Sequence, residues 1–524
     1  MTGATLAIVQ GPPFASEVPS QTVPEFIREL ARRHPDDVAL IDAASGRSHT
    51  FGEFDRLIGR FAAGLAALGF GPGETMLLFA PNSIDWPIAA LGAMAAGGVV
   101  SGVNPGYGPS ELAHQLRDSG ARYAFTHSTL LATLREAAAQ AACEPAVVLE
   151  DGDGEQGFTA LVRCRDPEPD IVLDPDMLAA MPYSSGTTGV AKGVLLSHRC
   201  LISNVRQAIE ALYMTQTDVT LAVLPMFHIA GFTCTMLTRL AAGGSLVTMS
   251  RFEPEAFLRA IERHRISHLS AVPPLMLFLA AHPLVDTFDL SSLQQIGCGA
   301  APLGADLEQK VADRLACPAG QAYGMTELSG LGTVTYPNDV RRGSSGKLVA
   351  GTQARVVDPQ TRSDLPRNVA GELWFRGPQV FKGYLNRPDA TAATLDSDGW
   401  LHSGDIGYFD DDGYMFVTDR LKELIKVKAF QVAPAELEAV LITHPQVADV
   451  AVIGRPDARS GEIPVAYVVA RGPIDADEIK AWVAERVTEY KQLGDVVTCE
   501  AIPKTPSGKI LRRLLRTIDA ERVS

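Results

Sequence analysis

The chain lacks most of the features that would place it outside the cell or on nucleic acid. Its seven cysteines are odd in number, scattered, and include no C-x-x-C pair. This argues against a disulfide frame or a zinc site and predicts reduced thiols in a cytoplasmic protein. No basic segment precedes an apolar core near the start, so no signal peptide is expected. Positive charge is in deficit, with 46 Lys and Arg against 61 Asp and Glu and a formal net charge of −15. The acidic residues are spread along the chain, which argues against nucleic acid or an anionic membrane as partner. The most apolar run, Pro87 to Val103, is rich in Gly and Ala and ends in Asn104-Pro105. It predicts a buried helix running into a strand; an integral membrane segment would be longer and more apolar. There is no internal repeat and no low-complexity tract.

What remains is an ordinary globular composition, 46% apolar and 20% charged, over 524 residues. That length exceeds one hydrophobic core and predicts several domains. Phe54, Leu57, Ile58, Phe61, Leu65 and Leu68 share one face of a helix predicted from Phe51, with Thr50 and Glu53 as its capping box. Apolar strands near 76–80, 99–103, 221–224, 245–249 and 266–272 alternate with helical segments, including helices beyond Gly231 and from Pro254. This rhythm predicts an α/β fold of parallel sheets covered by helices. After about Gly343 the pattern turns antiparallel. "GELWFRG" and a hairpin turning at Asp412-Gly413 suggest a distorted β-barrel subdomain. From Leu421 onward, strands at 450–453 and 465–469 with a helix begun by Asp475 predict a small α+β domain. The expected division is a large domain over 1–420 and a small mobile one over 421–524.

The stretch "YSSGTTGVAKG", Tyr183 to Gly193, has the parts of a phosphate cradle. Gly186 and Gly189 let backbone N–H groups turn toward an anion, Ser184, Ser185, Thr187 and Thr188 add hydroxyls, and Lys192 adds charge. It is not a Walker A loop. Counted from Gly186, the second glycine falls on Ala191, and Lys192 is followed by Gly193 instead of Ser or Thr.

Further motifs follow in order: "PMFHIAG", "GCGAAPLG", "QAYGMTE", "GELWFRG", "GWLHSGDIGY", "VTDRLKELIKVKAFQVAPAELE" and "PKTPSGKI". Together they resemble the adenylate-forming superfamily over nearly the whole chain, closest to its 4-coumarate–CoA ligase and acyl-CoA synthetase branch. The resemblance implies an ATP-dependent carboxylic acid–CoA ligase that makes an acyl-AMP intermediate, with Mg2+ and coenzyme A as further requirements. By the same resemblance, residues 184–192 would hold the β- and γ-phosphates, and Glu327 with the Thr326 hydroxyl would hold magnesium. Asp405 and Arg420 would take the ribose. Tyr323 and Gly324, with Gly299, Ala300, Ala301 and Pro302, would surround the adenine. His228 would orient the acid, and Lys509 would bridge the carboxylate and the α-phosphate. Lys422 stands at the hinge. Lys426 and Gln431 would face the site in the second step, with Lys428 and Ala429 beside the pantetheine tunnel.

Two departures from the family pattern bear on substrates. Ala429 replaces the glycine of "KGFQ", adding a methyl beside the tunnel. Ala322 replaces a glycine, and "ELSGL" replaces "EAGP". Phe227, Phe232, Cys298, Ala300, Ala322, Leu328 and Leu331 would line an apolar slot that fits an aryl-propenoic or a medium-chain fatty acid. Such a slot separates neighbouring chain lengths only weakly. Ala429 also keeps a second acceptor in view, a carrier-protein phosphopantetheine or an amine in place of free CoA. A catalytically dead ATP-binding homologue is disfavoured by the retained His228, Glu327, Asp405 and Lys509.

Overall fold

A computed structural model describes residues 8–523 apart from 153, 155, 173, 185–190, 302, 429, 458 and 505–509, and only the backbone of Gln431. Two large sheets face each other across a layer of helices. The first runs, in spatial order, Gly383–Tyr384, Lys192–Ser197, Leu178–Ala180, Val99–Gly102, Thr75–Phe79, Tyr123–Thr126 and Ala146–Leu149, parallel from Leu178–Ala180 onward. The second has nine strands. Its parallel centre is Ala319–Tyr323, Gln295–Cys298, His268–Ala271, Val219–Ala222, Ser245–Thr248 and Val38–Asp42.

Strand alternation explains the layering. In Thr75–Phe79, Met76 and Leu78 point into the central layer, while Leu77 and Phe79 point out to the helices carrying Leu112, Leu116 and Leu134. The second sheet does the same, with Leu40, Ala222 and Leu246 inward and Leu221, Val247 and Leu269 outward against Phe257, Leu279 and Val311. The helix Trp86–Ala95 lies in the central layer and is buried on every side, so its sequence carries no polar face. The helix Phe51–Ala67 beside it opens with the Thr50/Glu53 capping box and buries Phe54, Ile58, Phe61 and Leu65.

The helix expected beyond Gly231 begins one residue earlier and is wider than an α-helix. Ala230–Leu237 forms a π-helix, which passes into the α-helical turn Thr238–Ala241. Its wide turns are matched by two threonines: Thr235 Oγ1 donates to the Ala230 carbonyl (3.1 Å) and Thr238 Oγ1 to the Thr233 carbonyl (2.7 Å), each five residues back.

A five-stranded antiparallel sheet, Val9–Gln10, Gln353–Val357, Gly371–Arg376, Leu401–Phe409 and Met415–Arg420, forms the third unit. Its last hairpin turns through Gly413, whose φ of 83° suits glycine. The small C-terminal unit is built on the long pair Val447–Asp457 and Gly461–Ala470. One face packs Val450, Val452, Ala466 and Val468 on Leu437, Leu441, Ile479 and Val483; the other packs Ile453, Val465 and Tyr467 on Ile502 and Leu515. The last barrel strand ends at Arg420 and the first strand of the small sheet begins at Ile425. Among the described residues, no helix is long and apolar enough to cross a membrane.

One buried group couples this fold to pH. His198 opens the helix His198–Ala211, is 2% exposed, and accepts the Val23 backbone N–H on Nδ1 (3.1 Å). Burial pushes its imidazole down to about 4. The unfolded chain therefore binds a proton near pH 6.5 that the native chain refuses, so stability falls as the pH drops below 6.5. Between pH 7 and pH 5, wild type should lose about 2 kcal/mol more unfolding free energy than His198→Asn. Urea unfolding at both pH values checks this; parallel slopes for the two proteins would refute it.

Candidate active site

The loop of residues 185–190 lies outside the described residues, but the strands on either side of it are described. Tyr183–Ser184 pairs antiparallel with Lys192–Ser197, placing Ser184 opposite Lys192. Tyr183 is anchored through its hydroxyl to Asp118 (2.9 Å), which Arg387 also holds (3.1 Å). The His114 Nε2 contacts the Ala191 carbonyl at 3.0 Å on the far side of the loop. Ser185, Gly186, Thr187, Thr188 and Gly189 fall within the undescribed stretch, as do Pro302, Ala429, Lys509 and the side chain of Gln431 in their own segments.

Glu327 sits below these strands on the short turn Thr326–Leu328 and is 5% exposed. Two hydroxyls donate to its Oε1, Tyr384 at 2.7 Å and Ser184 at 3.1 Å. The Lys192 ammonium stands over the Tyr384 ring, 4.3 Å from its centroid. Burial, with the Glu327 charge adding to it, raises the Tyr384 phenol far above its ordinary value, so it stays a proton donor. A buried carboxylate held by neutral hydroxyls, with the Thr326 hydroxyl beside it in sequence, is a hard-oxygen donor set that suits a magnesium ion. The turn is tightly closed: a Cβ on Gly324 would lie 1.6 Å from the Gly330 carbonyl oxygen.

A second group forms where the nine-stranded sheet meets the barrel. Tyr323 stacks on Phe375 (centroids 5.5 Å apart, 21°) and its hydroxyl donates to Asp405 Oδ2 at 2.7 Å. Arg420 lies opposite Asp405 in the hairpin, with Nε 3.3 Å from Oδ1. Burial and the adjacent Asp405 raise the Tyr323 phenol well above its ordinary value. Gly299, Ala300 and Ala301 follow the strand Gln295–Cys298. Ala300 takes a left-handed φ of 71°, which turns this loop at the strand end.

His228 ends the segment after Val219–Ala222. Asn82 fixes that segment by accepting from the Met226 N–H (2.7 Å) and donating to the carbonyls of Ala222 and Leu224. The His228 ring is exposed, with Nδ1 near the Ala230 N–H (3.3 Å). With Phe227, Tyr107, Tyr183 and Thr326 it borders a pocket of about 30 Å³.

The remaining acyl-slot candidates are divided among the cores. Phe232 and Leu328 are buried in the central layer, with Phe232 edge-on to Trp86. Cys298 lies in the outer layer of the second sheet, and Leu331 packs with Ala322 in a small separate cluster. Ala300 is exposed.

On the small domain, Lys426 is exposed and pairs with Gln431 across a hairpin, and Lys428 takes a φ of 56°. Lys422 lies on the turn between Arg420 and Ile425. Arg512 is half-buried between Glu423 and Glu438. Arg513 and Arg516 are exposed.

Sequence reasoning missed Tyr384, Asn82, Asp118 and His114. Each acts by reaching a residue 57 to 144 positions away. Only the turn residues around Tyr384, Gly383 and Asn386, gave a local signal there, and it was a signal of shape.

The chain is similar to known families, proteins and solved structures over nearly its whole length. Residues 27–385 match the AMP-binding enzyme family, and residues 436–509 match the AMP-binding enzyme C-terminal domain. A 4-coumarate–CoA ligase 5 from Oryza sativa subsp. japonica is 42% identical, with 96% of each chain covered. A 4-coumarate–CoA ligase from Pinus taeda is 41% identical, with 93% of each covered. Among solved structures, ATP-bound MatB from Rhodopseudomonas palustris superposes with a TM-score of 0.88 at 28% identity, covering 96% of this chain and 100% of that one. The o-succinylbenzoate CoA synthetase (MenE) from Bacillus subtilis, in complex with the acyl-adenylate intermediate OSB-AMP, gives 0.83 at 27% identity, covering 95% and 98%.

The closed turn beneath Glu327 yields a stability prediction. Gly324→Ala forces backbone against backbone and should cost about 2 kcal/mol or more. An unchanged urea midpoint would show that the turn has room the structure does not give it.

Proposed function

The chain belongs to the AMP-binding enzyme family, as an AMP-forming acid–CoA ligase of the 4-coumarate–CoA ligase type, and from that premise we propose that its acid is an aryl-propenoic acid. The observation that carries the site assignment is the buried Glu327 carboxylate, held by Ser184 and Tyr384 at the root of the phosphate loop. The curated relatives named 4-coumarate–CoA ligases, with identities near 40% over nearly the full chain, favour the aryl acid over the medium-chain fatty acid.

The first step joins two anions, so positioning and charge neutralisation dominate it. A carboxylate oxygen of the acid attacks the α-phosphorus of ATP, and the bond to the β-phosphate breaks to release pyrophosphate. Ser184 and Lys192, at the two ends of the loop, bind the β- and γ-phosphates. Glu327 and Thr326 would hold a magnesium ion, whose charge offsets that of the phosphates. Asp405 accepts from the ribose hydroxyls with Arg420 beside it, and the face of Tyr323 away from Phe375 receives the adenine. His228 orients the acid, and Lys509 spans the carboxylate and the α-phosphate. In the second step the CoA sulfur attacks the acyl carbonyl and the bond to AMP breaks. A rotation about Lys422 removes Lys509 and brings Lys426 and Gln431 to the site, with Lys428 and Ala429 along the path of the pantetheine.

Incubation with Mg-ATP, CoA and a pooled set of aryl-propenoic and C4–C16 acids, read by mass spectrometry, should give aryl-propenoyl-CoA. Fatty acyl-CoA products would overturn the acid assignment. Acyl-AMP without any acyl-CoA would move the acceptor to a carrier-protein phosphopantetheine or an amine. Lys509→Ala should abolish acid-dependent pyrophosphate exchange and leave the fold intact by circular dichroism; unchanged exchange refutes its role. Ala429→Gly should speed the thioester step and leave exchange unaltered.

A further inference from the structure

We propose that Tyr384 is a positioning residue that keeps the site's carboxylate and ammonium apart: its hydroxyl orients Glu327 while its ring supports Lys192. The proposal rests on the reading of Glu327 as the magnesium ligand.

Three observations carry it. Tyr384 and Ser184 both donate to Oε1 of Glu327, so two bonds fix one oxygen and thereby set the direction of the other. The Lys192 ammonium lies 4.3 Å from the centroid of the same ring, a distance at which the ring quadrupole attracts a cation. Tyr384 thus contacts both charged groups, through different parts of one side chain. Among the described residues, no ion pair joins Lys192 to Glu327 or to any other carboxylate.

The backbone explains how one side chain can do both. Tyr384 sits on the edge strand Gly383–Tyr384, paired with Lys192–Ser197 so that Tyr384 faces Val194. The same ladder therefore fixes the ring relative to Lys192. The carboxylate arrives from the other direction, on a turn whose carbonyl at Glu327 accepts the Phe381 N–H (2.9 Å), three residues before Tyr384. Thr391 Oγ1 accepts the Tyr384 N–H (2.9 Å) and stops the edge strand from shifting.

The physical purpose follows from charge. A lysine and a glutamate free to meet in a half-buried site pair with each other, and each then has to be released before it can serve a phosphate or a cation. A phenol between them satisfies the carboxylate without neutralising it, and its ring face holds the ammonium without a counter-ion.

The test is Mn2+ binding to the ATP complex, followed by electron paramagnetic resonance, with calorimetric ATP binding in the absence of metal as control. Tyr384→Phe keeps the ring and loses the hydroxyl. It should weaken Mn2+ binding about tenfold, the size of one hydrogen bond to a charged group, and leave metal-free ATP binding unchanged. Tyr384→Leu loses the ring as well and should weaken both Mn2+ and metal-free ATP binding, because Lys192 is then free to reach Glu327. Unchanged Mn2+ affinity in Tyr384→Phe overturns the proposal. So does an equal loss with and without metal, which would mean general loosening of the strand. Glu327→Gln separates the two layers of argument. If it leaves Mn2+ binding intact, the magnesium assignment fails and the proposal with it; if it abolishes Mn2+ binding while Tyr384→Phe does not weaken it, only the role of Tyr384 fails.

Discussion

A carboxylate taken out of water and held, among the described residues, by neutral hydroxyls is the constraint around which this site is built. Glu327 is 5% exposed, and the contacts that hold it are hydroxyls. An ionised group in such a place costs several kcal/mol unless its oxygens are hydrogen-bonded. The donors must come from elsewhere in the chain, because the turn Thr326–Leu328 is too short to supply them. Ser184 comes from the first sheet, 143 residues earlier, and Tyr384 from its edge, 57 residues later. The first sheet, the second sheet and the edge strand must all be in place before this one carboxylate is satisfied, so the site and the assembly of the large domain are the same event.

The layered architecture makes that meeting possible. Both large sheets are parallel through their centres, so their strands end on the same side and the loops that follow can converge. Ser184, His228, Gly299 and Glu327 all follow or end such strands. The central helical layer, with Trp86–Ala95 buried on all sides, sets the spacing between the sheets. Asn82, at the entrance to that helix, holds the Ala222–Met226 segment with three hydrogen bonds. The same layer that carries the hydrophobic core therefore sets the position of the segment bearing His228.

The parts of this arrangement that local physics dictates were legible in the sequence. The helix Phe51–Ala67 carries its own capping box and apolar stripe, and the hairpin at Gly413 carries its own turn residues, so both stood where periodicity and turn chemistry placed them. The π-helical widening of Ala230–Leu237 was not legible, because the threonine-to-carbonyl bonds that mark it depend on a backbone path that a 3.6-residue period does not describe. The same limit applied at the site. "YGMTE" and "HSGDIGY" made Glu327, Tyr323 and Asp405 candidates through their resemblance to family motifs, whereas nothing local to Tyr384 indicates where its hydroxyl goes. The apolar slot was the least legible element. Phe232, Cys298 and Leu331 are apolar residues on motif-bearing segments, and burial in three different cores is as good a use of such residues as lining a cavity.

The small domain is tied within itself by charged contacts. Arg512 is half-buried between Glu423 and Glu438 and tied by hydrogen bonds to both, while burial raises the nearby Asp419 carboxyl to about 6. Those bonds tie the C-terminal helix to the residues that immediately follow Lys422. On the same body, Arg455 and Tyr467 grip Asp519, and Lys504 pairs with Ile510 across the segment that contains Lys509. Across the junction the ties are lighter: the Leu421 N–H to the Gly404 carbonyl, and the Ala435 N–H to Asp419. The Leu421 bond joins neutral groups and contributes about 1 kcal/mol and the Ala435 bond to a carboxylate about 2 kcal/mol, whereas the charged arginine contacts are costlier to break singly. A rotation at Lys422, ahead of Glu423, would exchange a few hydrogen bonds and leave the Arg512 contacts to Glu423 and Glu438 intact. The flanks of Lys509 and the hairpin bearing Lys426 belong to that one framework, so in the proposed mechanism a single motion would bring one toward the site and take the other away.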